Sequence, residues 1–124
     1  MSKDTRILVV DDNDDIRDLY SLWLANRFDV RAVPDGDAAL SSLETSTDVV
    51  LLDRNMPGPS GLEVAAEIRE RGAAGSILMI SSDPRRFELT GSPVDRYVQK
   101  PVSREDLLSA VGSLASSPQS AIPS

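Results

Sequence analysis

The sequence predicts an α/β fold in which one parallel five-stranded sheet lies between two layers of helices. Short apolar runs alternate with segments of helical periodicity, and this βα alternation produces parallel strands joined by right-handed crossovers. Residues 49–52 are apolar without a break, as in a strand buried on both faces. Acids directly follow two of the runs, at the edge where open parallel sheets bind their ligands.

The first half of the chain contains three of the predicted strands and two of the helices. The strands span residues 6–10, 29–33 and 48–52. Apolar side chains at helical spacing predict helices over residues 13–26 and 35–43. They are Ile16, Leu19, Tyr20 and Trp23 in the first helix, and Ala39, Leu40 and Leu43 in the second.

A third helix and a fourth strand follow in the same alternation. Val64, Ala65 and Ile68 share one face of a helix over residues 62–71. Gly72 is its expected C-terminal stop, because glycine adopts the left-handed conformation that ends many helices. The fourth strand spans residues 76–80.

The last third of the chain adds a short helix, a strand and a final helix. Asp83 and Pro84 resemble an N-cap and a first helical residue, but glycine, serine and proline at positions 91–93 break the helix that they begin. Residues 96–99 form the fifth strand. Ser103 opens the final helix with a sequence like a capping box, and its inward residues are Leu107, Leu108, Val111 and Leu114.

Length and composition indicate one globular domain, which we place at residues 1–115, followed by a disordered tail or linker at 116–124 that is rich in serine and proline. The absence of cysteine and histidine excludes disulfides, thiol nucleophiles, the usual zinc sites and Ser-His-Asp catalysis.

Charge and hydropathy indicate which partners and which cellular location to expect for the chain. The net charge is −7, and without a basic patch direct binding to nucleic acid is not expected. No apolar run approaches the ~20 residues that span a bilayer, and the N-terminus lacks a signal peptide, so a cytoplasmic location is expected. Lysine occurs only at positions 3 and 100, against 11 arginines. A salt-rich cytoplasm and codon bias in a GC-rich genome both explain that composition.

Three acids follow two of the apolar runs. Asp11 and Asp12 come after the first strand and Asp53 comes after the third. If those strands are neighbours, the three carboxylates converge, and their mutual repulsion calls for protons or a cation. Magnesium fits best, bound by carboxylates, by a backbone carbonyl near Asn55 and by water. The alternative is that Asp11 and Asp12 only cap the first helix.

Lys100 and Ser81 end two further strands at the same edge. Lysine is otherwise nearly absent from the chain, so its presence at this edge is notable. A compact ammonium group there is what an incoming phosphoryl group needs opposite the metal. The alternative is a surface charge. The Lys100–Pro101 bond is a candidate cis peptide. A serine hydroxyl at a strand end is a weaker signal, although it can bond to a phosphoryl oxygen.

Taken together, these residues resemble the receiver domain of two-component response regulators. The resemblance covers roughly residues 6–115 and is carried by Val-Val-Asp-Asp-Asn at 9–13, Asp-Arg-Asn-Met-Pro-Gly-Pro-Ser-Gly at 53–61, Ser-Ser at 81–82 and Lys-Pro at 100–101. Some of these segments also resemble receivers of halophilic archaea. The resemblance implies a flavodoxin-like, doubly wound (βα)5 three-layer sandwich with strand order 2-1-3-4-5.

The resemblance also implies a role for each site residue. Asp53 is the expected phosphoacceptor. Asp12 is the expected direct magnesium ligand, with Asp11 binding partly through water and Asn55 through its backbone carbonyl. Lys100 pairs with the phosphoryl group.

Ser81 is the expected switch hydroxyl, and Tyr97 is the aromatic that turns inward when Ser81 moves. Asn55 and Asp83 occupy positions that influence water access to the acyl phosphate, although Asp83 has an alternative role as a helix cap.

The implied function is signalling rather than metabolic catalysis. The phosphoryl donor is a sensor histidine kinase or a phosphotransfer protein, since the chain has no nucleotide-binding loop. A C-terminal effector domain, a downstream protein and a phosphorylation-dependent homodimer are further partners that such a domain takes.

Ser82, Val102 and the shortened segment between Ser81 and Lys100 depart from the usual receiver pattern, and they predict a clipped fourth helix. Three other functions remain to be distinguished. They are a magnesium-dependent phosphatase of the haloacid dehalogenase type, a receiver-like module that works without phosphate, and a flavodoxin.

Overall fold

A computed structural model of the chain describes residues 5–43, 47–56, 58–72, 74–82 and 93–116. Its elements in order are β1 (Arg6–Val10), α1 (Asp14–Leu24), β2 (Asp29–Val33), α2 (Gly36–Ser42), β3 (Thr47–Asp53), α3 (Gly61–Arg71), β4 (Ala74–Ser81), β5 (Arg96–Gln99) and α4 (Arg104–Ser116). The strands are all parallel in the order β2-β1-β3-β4-β5, which confirms the predicted fold and strand order. The short helix expected after Asp83 falls outside the described residues.

Successive strand residues point to opposite faces of the sheet, and both faces are buried under helices. On one face, Ile7 and Val9 of β1 pack in a cluster with residues of α1 and α4. On the other face, Leu8 and Val10 pack with residues of α2 and α3. The middle residues of the central strands, 7–10, 49–52 and 77–80, are therefore all apolar, since neither face meets water there.

Side-chain caps set the beginnings of the helices. Asn13 accepts a hydrogen bond from the Ile16 N–H and is the N-cap of α1, so this helix begins one residue later than predicted. Ser60 and Glu63 form a reciprocal capping box that begins α3, and this box was not predicted. Gly72 ends α3 in the left-handed conformation, as predicted.

Ser103 accepts a hydrogen bond from the Asp106 N–H at the start of α4, in line with the predicted capping sequence. Among the described residues, no helix combines the length and the apolar character that crossing a membrane requires.

Two glycines shape the connection from β3 to α3. Gly58 has a positive φ of 78°, which glycine adopts without steric cost. Gly61 lies against the end of β3, where an added Cβ would meet the Asp53 carbonyl oxygen at 2.6 Å and the Arg54 Cα at 2.8 Å. The Gly61 N–H also donates to the Arg54 carbonyl at 2.9 Å. The second glycine therefore keeps α3 close to the residue that ends β3.

Replacing Gly61 with alanine should lower the free energy of unfolding by about 1–3 kcal/mol, because the backbone of β3 must move to admit a methyl group. Urea unfolding measures this change. Gly112→Ala is the matched control, since a Cβ at Gly112 meets nothing within 4 Å and alanine favours a helix by ~1 kcal/mol. Equal stability of Gly61→Ala and the parent protein would contradict the close approach.

Candidate functional site

Asp53 is the last residue of β3 and lies at the carboxyl edge of the sheet, with only 5% of its surface exposed. The Lys100 Nζ donates a hydrogen bond to Asp53 Oδ1 at 3.1 Å, and the backbone N–H of Asn55 bonds to the same carboxylate. Lys100 follows β5, and its backbone N–H donates to the Ser81 carbonyl at 2.8 Å. The predicted pairing of an acid with this lysine is thus present.

Asp11 follows β1 directly and is also buried. Its Oδ1 accepts a hydrogen bond from the Asn13 N–H at 2.9 Å, while the Asn13 side chain caps α1. The alternative that Asp11 and Asp12 serve as the helix cap is therefore wrong, because the neighbouring asparagine has that role.

Asp11, Asp12 and Asp53 each place a carboxylate oxygen within 4.8 Å of the other two. Asp12 is exposed, whereas the other two are buried. Three hard oxygen donors that surround one point and carry excess negative charge fit a divalent cation such as Mg2+. The predicted convergence of the acids is confirmed.

Burial and neighbouring negative charges raise the pKa values of the two buried acids. Burial is the main cause that raises the pKa of Asp53 above its ordinary value of 3.8; Lys100 and the Asn55 N–H oppose the rise, and the charge of Asp12 adds to it. Burial likewise raises the pKa of Asp11, opposed by the Asn13 N–H and increased by the charge of Asp53. The negative charge of Asp12 thus makes both buried acids harder to ionise, and the charge of Asp53 has the same effect on Asp11.

Tyr20 of α1 is a site neighbour that sequence reasoning missed. Burial raises its pKa to about 12, and the charges of Asp11 and Asp53 add to the rise. Tyr20 and Lys100 line the same apolar cleft of about 510 Å³, between α1 and residues 100–102, which follow β5. Helical spacing marked Tyr20 only as a core position, since spacing cannot tell which end of a buried aromatic meets polar groups.

The two predicted switch residues lie on neighbouring strands. Ser81 ends β4, is fully buried and pairs in register with Gln99. Tyr97 of β5 packs partly buried against the cluster between the sheet and α2–α3, and its hydroxyl is buried. The Lys100–Pro101 peptide bond is cis, as predicted. Asp83 lies outside the described residues.

The fold and this edge of the sheet define a receiver domain. The chain belongs to the response regulator receiver domain family, which it matches over residues 7–112. The predicted membership is confirmed, and the phosphatase and flavodoxin alternatives are set aside.

Similar proteins agree with this assignment. A Haloferax volcanii protein named as a transcriptional regulator is 39% identical over 109 residues, which are 87% of this chain and 19% of that protein. The transcriptional regulatory protein ResD of Bacillus subtilis is 33% identical over 91% of this chain and 49% of its own length. The chain thus spans at most about half of each of these two relatives.

A solved structure matches nearly end to end. The response regulator TrrA of Thermotoga maritima, solved in complex with Mg2+ and BeF, is 36% identical with a TM-score of 0.78. The alignment covers 89% of this chain and 98% of that one.

The raised pKa values predict how the stability of the metal-free protein depends on pH. A carboxyl group whose pKa is raised by folding stabilises the fold at low pH and loses that contribution as pH rises through the folded pKa. The contribution of Asp53 and Asp11 to the free energy of unfolding should therefore fall as pH rises above 3.8, the ordinary pKa of both groups.

Asp53→Asn should remove much of this loss and raise the free energy of unfolding at neutral pH in EDTA by about 1 kcal/mol, a usual size for one substitution. Urea unfolding from acid to neutral pH measures the effect, which should vanish at the acid end. Asp18→Asn removes the same charge from an exposed position of α1 and is the control. An equal gain in both variants would contradict a local cause.

Proposed function

We propose that this chain accepts a phosphoryl group on Asp53 from a partner histidine kinase or phosphotransfer protein. One observation carries the proposal: a buried carboxylate at a strand end has an ammonium group at 3.1 Å and two further carboxylates within 4.8 Å. Phosphoryl transfer needs positioning and charge compensation more than covalent help from the protein. This arrangement supplies a fixed nucleophile between a cation and a metal-binding set.

Asp11, Asp12, Asp53 and the backbone carbonyl of Asn55 would hold Mg2+ in the working protein. The bound ion supplies positive charge against the oxygens of the phosphoryl group. Asp12 is the exposed member of the set and is the ligand we assign to direct binding, with Asp11 binding partly through water. Side chains of the protein carry out every other part of the proposed reaction.

Asp53 is the nucleophile. One of its carboxylate oxygens attacks phosphorus in line with the donor. The new oxygen–phosphorus bond forms as the bond from phosphorus to the donor nitrogen breaks, and the imidazole leaves with the electron pair. Lys100 then moves its hydrogen bond from the free carboxylate to a phosphoryl oxygen, where it offsets the added charge of up to about −2.

Ser81 and Tyr97 carry the conformational response. The Ser81 hydroxyl exchanges its resting contact for a phosphoryl oxygen, and the Tyr97 ring occupies the space beside it. The inward packing of Tyr97 supports an inward state that exists before phosphorylation, so phosphate shifts a population rather than creating a new form.

The setting of this function follows from the family. We assign residues 1–115 to a cytoplasmic receiver and 116–124 to a tail or linker. The output is a C-terminal effector domain or a downstream protein, with a phosphorylation-dependent homodimer as a further route. The names of the relatives as transcriptional regulators support an output in gene control.

Acetyl phosphate with Mg2+ should add one phosphoryl group to the chain, as measured by intact-mass spectrometry. Asp53→Asn should abolish the addition, because an amide cannot attack phosphorus, and EDTA should prevent it in the parent protein. Asp48→Asn is the control, since Asp48 lies exposed near the opposite end of the same strand. Equal labelling of Asp53→Asn would remove Asp53 from the reaction, and no labelling of the parent protein would leave the module that works without phosphate.

Asn55 and Asp83 are the residues we assign to the lifetime of the acyl phosphate. A carboxylate at position 83 can orient the attacking water, whereas asparagine there would still cap a helix. Asp83→Asn and Asp83→Ala should therefore both lengthen the half-life several-fold, measured by the decay of the phosphorylated mass after the donor is removed. A parent-like half-life for Asp83→Asn would leave capping as the only role.

A further inference from the structure

Arg17 holds the turn that carries two of the three acids. It lies in the second turn of α1, and one nitrogen of its guanidinium donates to the backbone carbonyl of Asp11 at 2.7 Å. Its other terminal nitrogen pairs with the carboxylate of Asp14, the first residue of the helix. The arginine side chain is only 18% exposed. A single planar group therefore joins the two ends of the turn at residues 11–14.

Asp11 is held at three points. Its N–H donates to the Val33 carbonyl at 3.2 Å, and its carboxylate accepts from the Asn13 N–H at 2.9 Å. Its backbone carbonyl accepts from the Arg17 guanidinium. The Asp11 carbonyl belongs to the rigid peptide plane that leads into Asp12. Fixing that oxygen therefore also fixes the direction from which the Asp12 side chain starts.

Asp12 needs such support more than the other two acids do. Asp11 and Asp53 are buried, whereas Asp12 is exposed. An exposed carboxylate in a turn would otherwise sample many directions, and ordering it on metal binding would cost entropy. Outer contacts that orient metal ligands typically change metal affinity 10- to 100-fold.

We propose that Arg17 is a positioning residue for the divalent-cation site: it holds the Asp11–Asp12 peptide so that both carboxylates face Asp53. This inference rests on the proposed function, because it concerns the same Mg2+ site. Arg17 touches the backbone of one ligand and touches neither the metal nor the phosphoryl group.

A purely electrostatic role would have the opposite sign. The Arg17 guanidinium bonds to the Asp11 backbone beside the site, and its positive charge repels an incoming cation, so removing that charge alone should tighten Mg2+ binding. Loss of positioning should weaken binding instead. The sign of the change in affinity therefore separates the two roles.

The test is calorimetric titration of the metal-free protein with Mg2+ alone. Arg17→Met should bind Mg2+ about tenfold or more weakly than the parent protein. Arg17→Lys keeps the charge but lacks the planar fork, so its affinity should fall between the two. Arg27→Met removes the same charge from an exposed position beyond the end of α1 and should bind like the parent protein.

A second readout distinguishes this role from general damage to the fold. The rate of labelling by acetyl phosphate should fall in Arg17→Met at low Mg2+ and return to the parent rate at saturating Mg2+, because Asp53 and Lys100 are untouched. Binding by Arg17→Met that equals or exceeds that of the parent, or labelling that stays slow at saturating Mg2+, overturns the inference alone. A parent protein that neither binds Mg2+ nor takes a phosphoryl group overturns the proposed function.

Discussion

The register of the parallel strands decides which side chains meet at the carboxyl edge of the sheet. Val10 pairs with Leu52, which places Asp11 beside Asp53, and Asp53 pairs with Ile80 in turn. Ser81 pairs with Gln99, so Lys100 enters the same edge. A slip of one residue would draw a carboxylate between two apolar layers, where an unpaired charge is expensive. The pairing of the apolar strand residues thus places the polar residues that follow them at the carboxyl edge of the sheet.

The crowded carboxylates at this edge of the sheet lower the stability of the folded protein. Two buried acids and one exposed acid share a small space, and Lys100 bonds to the carboxylate of one of them, Asp53. Without a bound cation, the folded protein retains protons that the unfolded chain would release, as the raised pKa values indicate. A divalent cation bound among the three carboxylates would relieve that repulsion. The unfavourable charge of the resting site and the proposed metal binding therefore have the same origin.

Neighbouring residues in the sequence predicted the secondary-structure elements well, but they did not predict the contacts between distant residues. The Gly72 stop and the cis bond before Pro101 depend on neighbouring residues, and both were correct. The contact of Arg17 with the Asp11 carbonyl and the position of Tyr20 beside the acids were missed, because both depend on how α1 is rotated over the sheet. The choice between a capping and a metal-binding role for Asp11 was also open, since both roles place an acid just before a helix. The geometry of Asn13 excludes the capping role.

The sequence by itself determined the alternation of strands and helices, the burial of the strands on both faces and the chemical types at their ends. These properties are local, because the periodicity of a segment and the residue that follows an apolar run both depend on residues a few positions apart in the sequence. Only the tertiary structure decided that Asp53 and Lys100 meet, although 47 positions separate them, and that Arg17 reaches the Asp11 carbonyl. Such contacts depend on strand order, register and helix rotation, which are set by packing of the whole chain.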